Sequence, residues 1–310
     1  MSYTKFTYGA ELEWADVDIR IKPPAELGKW DGKDATLVNS DGHANDPSGK
    51  TWNFGGEINT TPTDTIEGQI EIFLKLKELL NPTINYRNSV HIHIGVEGLK
   101  EDLEGLKTLF QYTQDNQDTV LNLFPLIEPT KELFPVKEDL KLAQWYRKQR
   151  TAWSKGKVPP NRVIDIMNST SPRNFYDCHF MWIEARKKRV YHIGIVRAGI
   201  NVRALFKYGT IEFRLFPGTL DPDQLRDMFE FCSQFVYNAF NNPSMTAQDI
   251  LDSREWNFPI WAPFNPELER GFKATKIKYM EYPDSSRAAV EERERQRQEK
   301  KRLEQEKKGN

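Results

Sequence analysis

Hydrophobic and polar residues alternate from Phe6 to Trp14. Phe6, Tyr8, Ala10, Leu12 and Trp14 point one way, and Thr7, Gly9, Glu11 and Glu13 the other. A period of two predicts a half-buried strand. The same reading gives strands at 89–95 (SVHIHIG), at 57–60 ending before Pro62, and at 209–216. Further strands are expected at about 36–38, 51–54, 178–184, 190–194 and 198–206. Otherwise 23–56 reads as long loops, rich in Pro, Gly, Asp and Asn with few periodic apolar positions. Asp64, with Glu67 three residues on, predicts a capped helix to about Leu80. Its inner stripe is Ile66, Ile70, Phe73, Leu74 and Lys77. Helices are expected at about 101–122 and 138–153, with a loop-rich stretch at 157–175. Asp221-Pro222 opens another helix, with Pro at its first position and Met228, Phe231, Cys232, Phe235 and Val236 as core face.

Composition adds the scale. A chain of 310 residues with 38% hydrophobic and 12% aromatic residues can bury a sizeable core. The expected organisation is a main domain over 1–240, an aromatic extension over 241–284 packed on it, and a charged tail over 285–310. That tail holds nine Lys/Arg against six Glu and almost no apolar stripe, so a solvated helix or a disordered segment is expected. The net charge of −1 gives no global pull toward nucleic acid or an anionic membrane. Cys178 and Cys232 form no Cys-x-x-Cys pair, which argues against a zinc ribbon or disulfide scaffold. With no apolar signal core and no apolar run of the roughly 18 residues a membrane helix needs, a cytoplasmic location is expected, host cytoplasm included.

Candidate chemistry lies in three strands that each show a pair of ionisable side chains: Glu11 and Glu13, His91 and His93, Glu212 and Arg214. Residues two apart on a strand share a face. Taken singly, each pair reads most simply as strand surface or as a cross-strand charge pair. Taken together on one sheet they would put carboxylates, imidazoles and a guanidinium side by side, and Glu57 after Gly55-Gly56 could add another carboxylate. Crowded carboxylates repel and call for a cation. Many oxygens with few nitrogens suit Mg²⁺ or Mn²⁺ better than zinc. Hard cations beside an Arg are the equipment of phosphoryl transfer. A P-loop is not the route to it: SGKT at 48–51 would need glycine at 44, which is Ala44. The basic cluster Arg186 to Arg189 reads as a solvated strand end or as a site for an acidic substrate.

The segments YGAELEW (8–14), Asp41-Gly42, GGEINTTP (55–62), SVHIHIG (89–95), Asn201 and GTIEFRLFPGTLD (209–221), in this order, resemble the amidoligase family. Its members are similar to glutamine synthetase and glutamate–cysteine ligase. The resemblance covers about residues 5–240. It implies an α+β fold: a curved, mostly antiparallel, glutamine-synthetase-like sheet forming an active-site funnel, backed by helices. It implies ATP as the phosphoryl donor and two Mg²⁺ or Mn²⁺ ions. Carried over, Glu11, Glu13, Glu57, His91 or His93, and Glu212 are metal ligands, His93 being preferred of the two imidazoles. Arg214 contacts the transferred phosphoryl group, Asn201 and Arg203 join the nucleotide and substrate contacts, and Glu212 and Glu57 count with Arg214 as catalytic. Two departures stand out: His43 follows Asp41-Gly42 where Ser is common, and INTTP follows Glu57 in place of a Ser-Pro-Pro-like end. The function implied is an ATP-dependent carboxylate–amine ligase working through an acyl phosphate. A metal-dependent hydrolase, a phosphagen-type kinase and a non-catalytic binder on the same fold are the rivals. The acid and amine could be small molecules, peptides, a modified nucleobase or a cell-wall fragment, and no membrane partner is expected.

Overall fold

The computed structural model describes residues 3–15, 17, 21–33, 56–84, 87–124, 129–141, 143–144, 160–184, 199–202 and 204–261. Along the chain run β1 (Phe6–Trp14), β2 (Gly28–Lys33), β3 (Gly56–Thr60), α1 (Ile66–Leu80), β4 (Ser89–Val96) and α2 (Leu103–Asn122). Then come α3 (Pro160–Met167), α4 (Pro172–Glu184), β5 (Ile200–Asn201), α5 (Ala204–Tyr208), β6 (Thr210–Pro217), α6 (Pro222–Asn241) and α7 (Ala247–Asp252). The strands form one open sheet in the order β2-β3-β1-β4-β6-β5, every neighbouring pair antiparallel. The fold is therefore α+β, with helices behind the sheet. Among the described residues, no helix is long and apolar enough to cross a membrane.

The alternation read from the sequence decides which side is covered. Leu12, Trp14, Ile58, Ile92, Ile94, Ile211 and Phe213 are buried on the helix side. Phe73 of α1 meets Trp14 edge-on at 5.8 Å, and Phe235 of α6 meets Phe213 at 5.6 Å. Tyr112 of α2 packs on Phe235 at 4.9 Å. Each such fully buried side chain contributes roughly 1.5–3 kcal/mol through area removed from water. Helix α6 starts where the sequence predicts: Asp221 accepts from the backbone N–H groups of Asp223 and Gln224, with Pro222 in the first turn. All five residues of its expected core face are buried. Beyond α7, Trp256 and Phe258 stack at 5.3 Å, and Phe258 lies 5.9 Å from Phe216 of β6.

Several expectations change. Thr65, not Asp64, caps α1: its hydroxyl accepts from Gly68 N, while Glu67 turns outward to Arg226 at 2.9 Å. The buried side of α1 runs through Gln69, Ile70, Ile72, Phe73, Leu76 and Leu80, which keeps Ile70 and Phe73 of the expected stripe and leaves Leu74 on the exposed margin. Strand β2 appears inside a stretch read as loop, because an edge strand of sequence GKWDGK is held by backbone pairing and carries no alternation. The loop-rich reading of 157–175 gives way to α3 and the start of α4; Pro160 and Pro172 sit at helix starts, where proline is tolerated. The strand expected at 178–184 is the second half of α4. Ser171 Oγ accepts from Asn174 N, Arg173 pairs with Asp177 one turn on, and Phe175 and Tyr176 bury a helical side. Of the strand expected at 198–206, Ile200–Asn201 is the part that pairs as strand among the described residues. The chain then coils into α5 and reverses at Gly209, whose φ of +74° suits glycine. The strands expected at 36–38, 51–54 and 190–194, the cluster 186–189, residues 145–153 of the expected helix and the tail 285–310 lie outside the described residues.

A buried polar knot ties α1 to the sheet. Thr60 Oγ1 accepts from Ala10 N at 2.7 Å and donates to Gln69 Oε1 at 2.7 Å, and Gln69 Nε2 donates to the carbonyls of Tyr8 and Thr61. Thr60→Val keeps the shape but strands both partners. Urea unfolding should show a loss of about 1–3 kcal/mol, the cost of leaving buried polar groups unpaired. A loss under about 0.5 kcal/mol would mean that water or neighbours replace the hydroxyl.

Candidate active site

The face of the sheet away from the helices carries the polar pairs, and the register puts them in rows. Directly opposed residues on antiparallel strands point to the same side. One row is Thr7, Gly95 and Thr210. The next is Gly9, His93, Glu212 and Asn201. Beside it stand Asn59, Glu11 and His91, and then Glu57 and Glu13. Between Val90↔Phe216 and Ile92↔Phe213 the register slips by one, so Arg214 and Leu215 together oppose His91. This bulge keeps Arg214 beside Glu212 and turns Phe216 toward Phe124 at 5.4 Å.

The side chains converge on Glu11. Its Oε2 accepts from His91 Nδ1 at 2.6 Å, and its Oε1 lies 3.2 Å from His93 Nε2. That second contact is off the line of a hydrogen bond, and His93 Nε2 is buried with no other hydrogen-bond partner in the described structure. The other nitrogen of His93, Nδ1, is held by Thr210 Oγ1 at 2.8 Å. Glu212 takes Asn201 Nδ2 at 2.6 Å on one oxygen and the Arg214 guanidinium on the other. Arg214 NH1 is also 4.0 Å from Glu11. Glu13 is set back: its Oε2 accepts from Ser89 N at 2.8 Å and from the Ser89 hydroxyl, and its Oε1 is 3.9 Å from His91 Nε2.

Donor atoms gather in two groups that share one residue. Glu11, Glu57 and His91 can each offer an atom within 4.8 Å of the others, and so can Glu11, His93 and Glu212. Glu13 belongs to neither group and stands behind His91. Burial disfavours the Glu11 carboxylate, but the His91 hydrogen bond and the charge of the two neighbouring imidazoles outweigh it and hold its carboxyl far below the usual carboxylate range. Burial likewise disfavours the Arg214 cation, yet Glu212 and Glu11 raise its pKa, so it stays charged. Arg203, Asp41, Gly42 and His43 lie outside the described residues.

Sequence pairing alone did not single out Ser89 or Thr210, which hold Glu13 and His93. Both were legible: Ser89 is two residues before His91, and Thr210 two before Glu212, so each shares the strand face of the residue it precedes.

The comparisons with known proteins bear on the same stretch of chain. No curated protein matches the sequence. A solved structure, a bifunctional glutathione synthetase from Pasteurella multocida, aligns over 87% of this chain at 12% identity with a TM-score of 0.24. The chain spans 40% of that protein's length. The family model described as "Putative amidoligase enzyme" matches residues 24–236, a span that takes in β3, β4, β6 and most of the polar face. With that match over more than half of its length, this chain belongs to the amidoligase family.

Proposed function

We propose that the protein uses ATP to activate a carboxylate and joins it to an amine, on a glutamine-synthetase-like catalytic face within residues 1–240. The observation that carries this reading is the pair of donor groups sharing Glu11, with Arg214 beside both. Each group offers two carboxylates and one imidazole, a set that fits Mg²⁺ or Mn²⁺. The buried, unbonded Nε2 of His93 fits a ligating imidazole whose other nitrogen is fixed by Thr210. Bound by Glu11, Glu57, His91, His93 and Glu212, the cations would supply charge neutralisation and hold on the phosphate oxygens.

The chain's own residues do the rest. Arg214 presents a planar fork to the transferred phosphoryl group, and Glu212 and Asn201 aim it. Ser89 locks Glu13, whose charge keeps His91 oriented from behind. A carboxylate oxygen of the acid substrate attacks the γ-phosphorus and ADP leaves. The amine then attacks the acyl carbon, the C–O bond to phosphate breaks, and inorganic phosphate departs carrying the proton that the amine nitrogen gives up. Splitting one hard displacement into two easier ones is the gain from the covalent intermediate. The acid and amine remain classes: a small-molecule, peptide, cell-wall or nucleobase-derived pair would all satisfy this chemistry. A metal-dependent hydrolase could use the same Glu and His set, but it would work without ATP.

Metal and nucleotide should bind together. The melting temperature should rise with ATP when Mg²⁺ or Mn²⁺ is present, by several degrees at saturating ligand, and stay flat in EDTA. An equal rise in EDTA would contradict the reading.

A further inference from the structure

Two glycines lie on the polar face of β1 and β4, and only one has a packing reason. At Gly95 a Cβ would fall 2.1 Å from Thr7 Oγ1, so a side chain there would have to displace the Thr7 hydroxyl. At Gly9 a Cβ would meet only His93 Cβ, at the ordinary distance of 3.8 Å. Glycine inside a strand weakens it and often marks a close approach of a ligand. Above Gly9 opens a cavity of about 340 Å³, walled by Thr7, Asn59, Tyr208 and Thr210, with Glu11 and His93 at its inner end. Its size is at the small end of ligand pockets, roughly 300–1,000 Å³.

We propose that this cavity is the acceptor subsite, taking a primary amine on a short uncharged chain, and that the bare backbone of Gly9 sets how large that chain can be. The assignment of acceptor rests on the ligase reading above. The wall chemistry selects the ligand class. Among the described residues no Lys or Arg side chain lines the cavity, so beyond the cations proposed at Glu11 and His93 its wall offers no positive side chain to a triphosphate or a carboxylate. Arg214, the cation of the catalytic face, is not part of the wall. Acceptors for N–H groups are present instead. Asn59 Oδ1 is buried with no hydrogen-bond partner among the described residues, and the hydroxyls of Thr7 and Thr210 can accept. Tyr208 also lines the cavity; the Lys207 ammonium, 4.3 Å from the centre of its ring, is not part of the lining. The inner end opens on Glu11 and His93, so an amine seated here has its nitrogen next to the proposed site of acyl transfer.

The test uses n-butylamine as probe, with acetate and inorganic phosphate as anionic counterparts, on the full chain and on Gly9→Val and Gly9→Ala. Binding is followed by ligand-detected NMR, and folding by circular dichroism. The wild type should bind butylamine saturably. Gly9→Val should weaken it at least tenfold and Gly9→Ala by less, while the Mg²⁺-dependent ATP shift persists in both. If Gly9→Val misfolds, the smaller Gly9→Ala carries the comparison. No saturable butylamine binding, binding indifferent to both substitutions, or acetate or phosphate occupying the cavity in its place would each overturn the proposal. Should the ATP shift be missing from every form while Gly9→Val still blocks butylamine, the ligase reading falls and the amine site stands.

Discussion

Glu11→Gln should reduce turnover at least a thousandfold, about 4 kcal/mol of transition-state stabilisation, and should do so in a folded protein. Glu11 is the one carboxylate common to both donor groups, and it faces two imidazoles and a guanidinium at once. Glutamine keeps its size and one acceptor oxygen but removes the charge on which both groups depend. Loss of a shared ligand should also weaken Mn²⁺ binding, measurable by electron paramagnetic resonance of the free ion. The fold should survive, because the apolar side of β1 that packs on the helices is untouched. A variant with wild-type turnover and unchanged Mn²⁺ affinity would reduce Glu11 to a buried partner of His91.

Arg214→Lys should reduce turnover at least a hundredfold, about 3 kcal/mol, by loss of a charge-stabilising donor pair. Lysine keeps the positive charge, so pairing with Glu212 can persist. It loses the planar fork that spans two phosphate oxygens. The bulge is what gives Arg214 this position: with two residues opposite His91, its guanidinium meets Glu212 and comes within 4.0 Å of Glu11. Its backbone N–H also donates to Gly199 O at 2.7 Å, so the strand should hold its course in the variant. Turnover within threefold of wild type, with the melting temperature unchanged, would assign Arg214 to charge pairing alone.

Much of this site was legible before any coordinates. Strict alternation in β1, β4 and β6 marked both the strands and the side of each that carries chemistry. The i, i+2 rule then put Glu11 with Glu13, His91 with His93 and Glu212 with Arg214, each pair on one strand face. Register was not legible. Nothing local says that Glu11 faces His91 while Glu13 faces Glu57, or that a bulge re-aims Arg214. Those follow from pairing between strands dozens of residues apart. Hence the resemblance groups Glu13 with the metal ligands, and only the register shows that it stands opposite Glu57 with Ser89 as its hydrogen-bond donor. Short apolar runs misled for a physical reason too. The residues at 178–184 fit a buried strand or a buried helix equally well, and only packing of α4 against its neighbours decides. Strand β2 left no trace because edge pairing uses the backbone, which every sequence has.

The central claim is that a carboxylate is phosphorylated before the amine attacks. Label transfer tests it most directly. The acid substrate, once identified by mass of a ligand carried through purification, is prepared with ¹⁸O in its carboxylate and turned over with ATP, Mg²⁺ and the amine. An acyl phosphate breaks between the acyl carbon and the bridging oxygen, so one carboxylate oxygen must leave in inorganic phosphate. Mass spectrometry should find one ¹⁸O per phosphate released, and hydroxylamine in place of the amine should give a hydroxamate. Amide formed with ATP consumed but phosphate free of ¹⁸O would contradict the account.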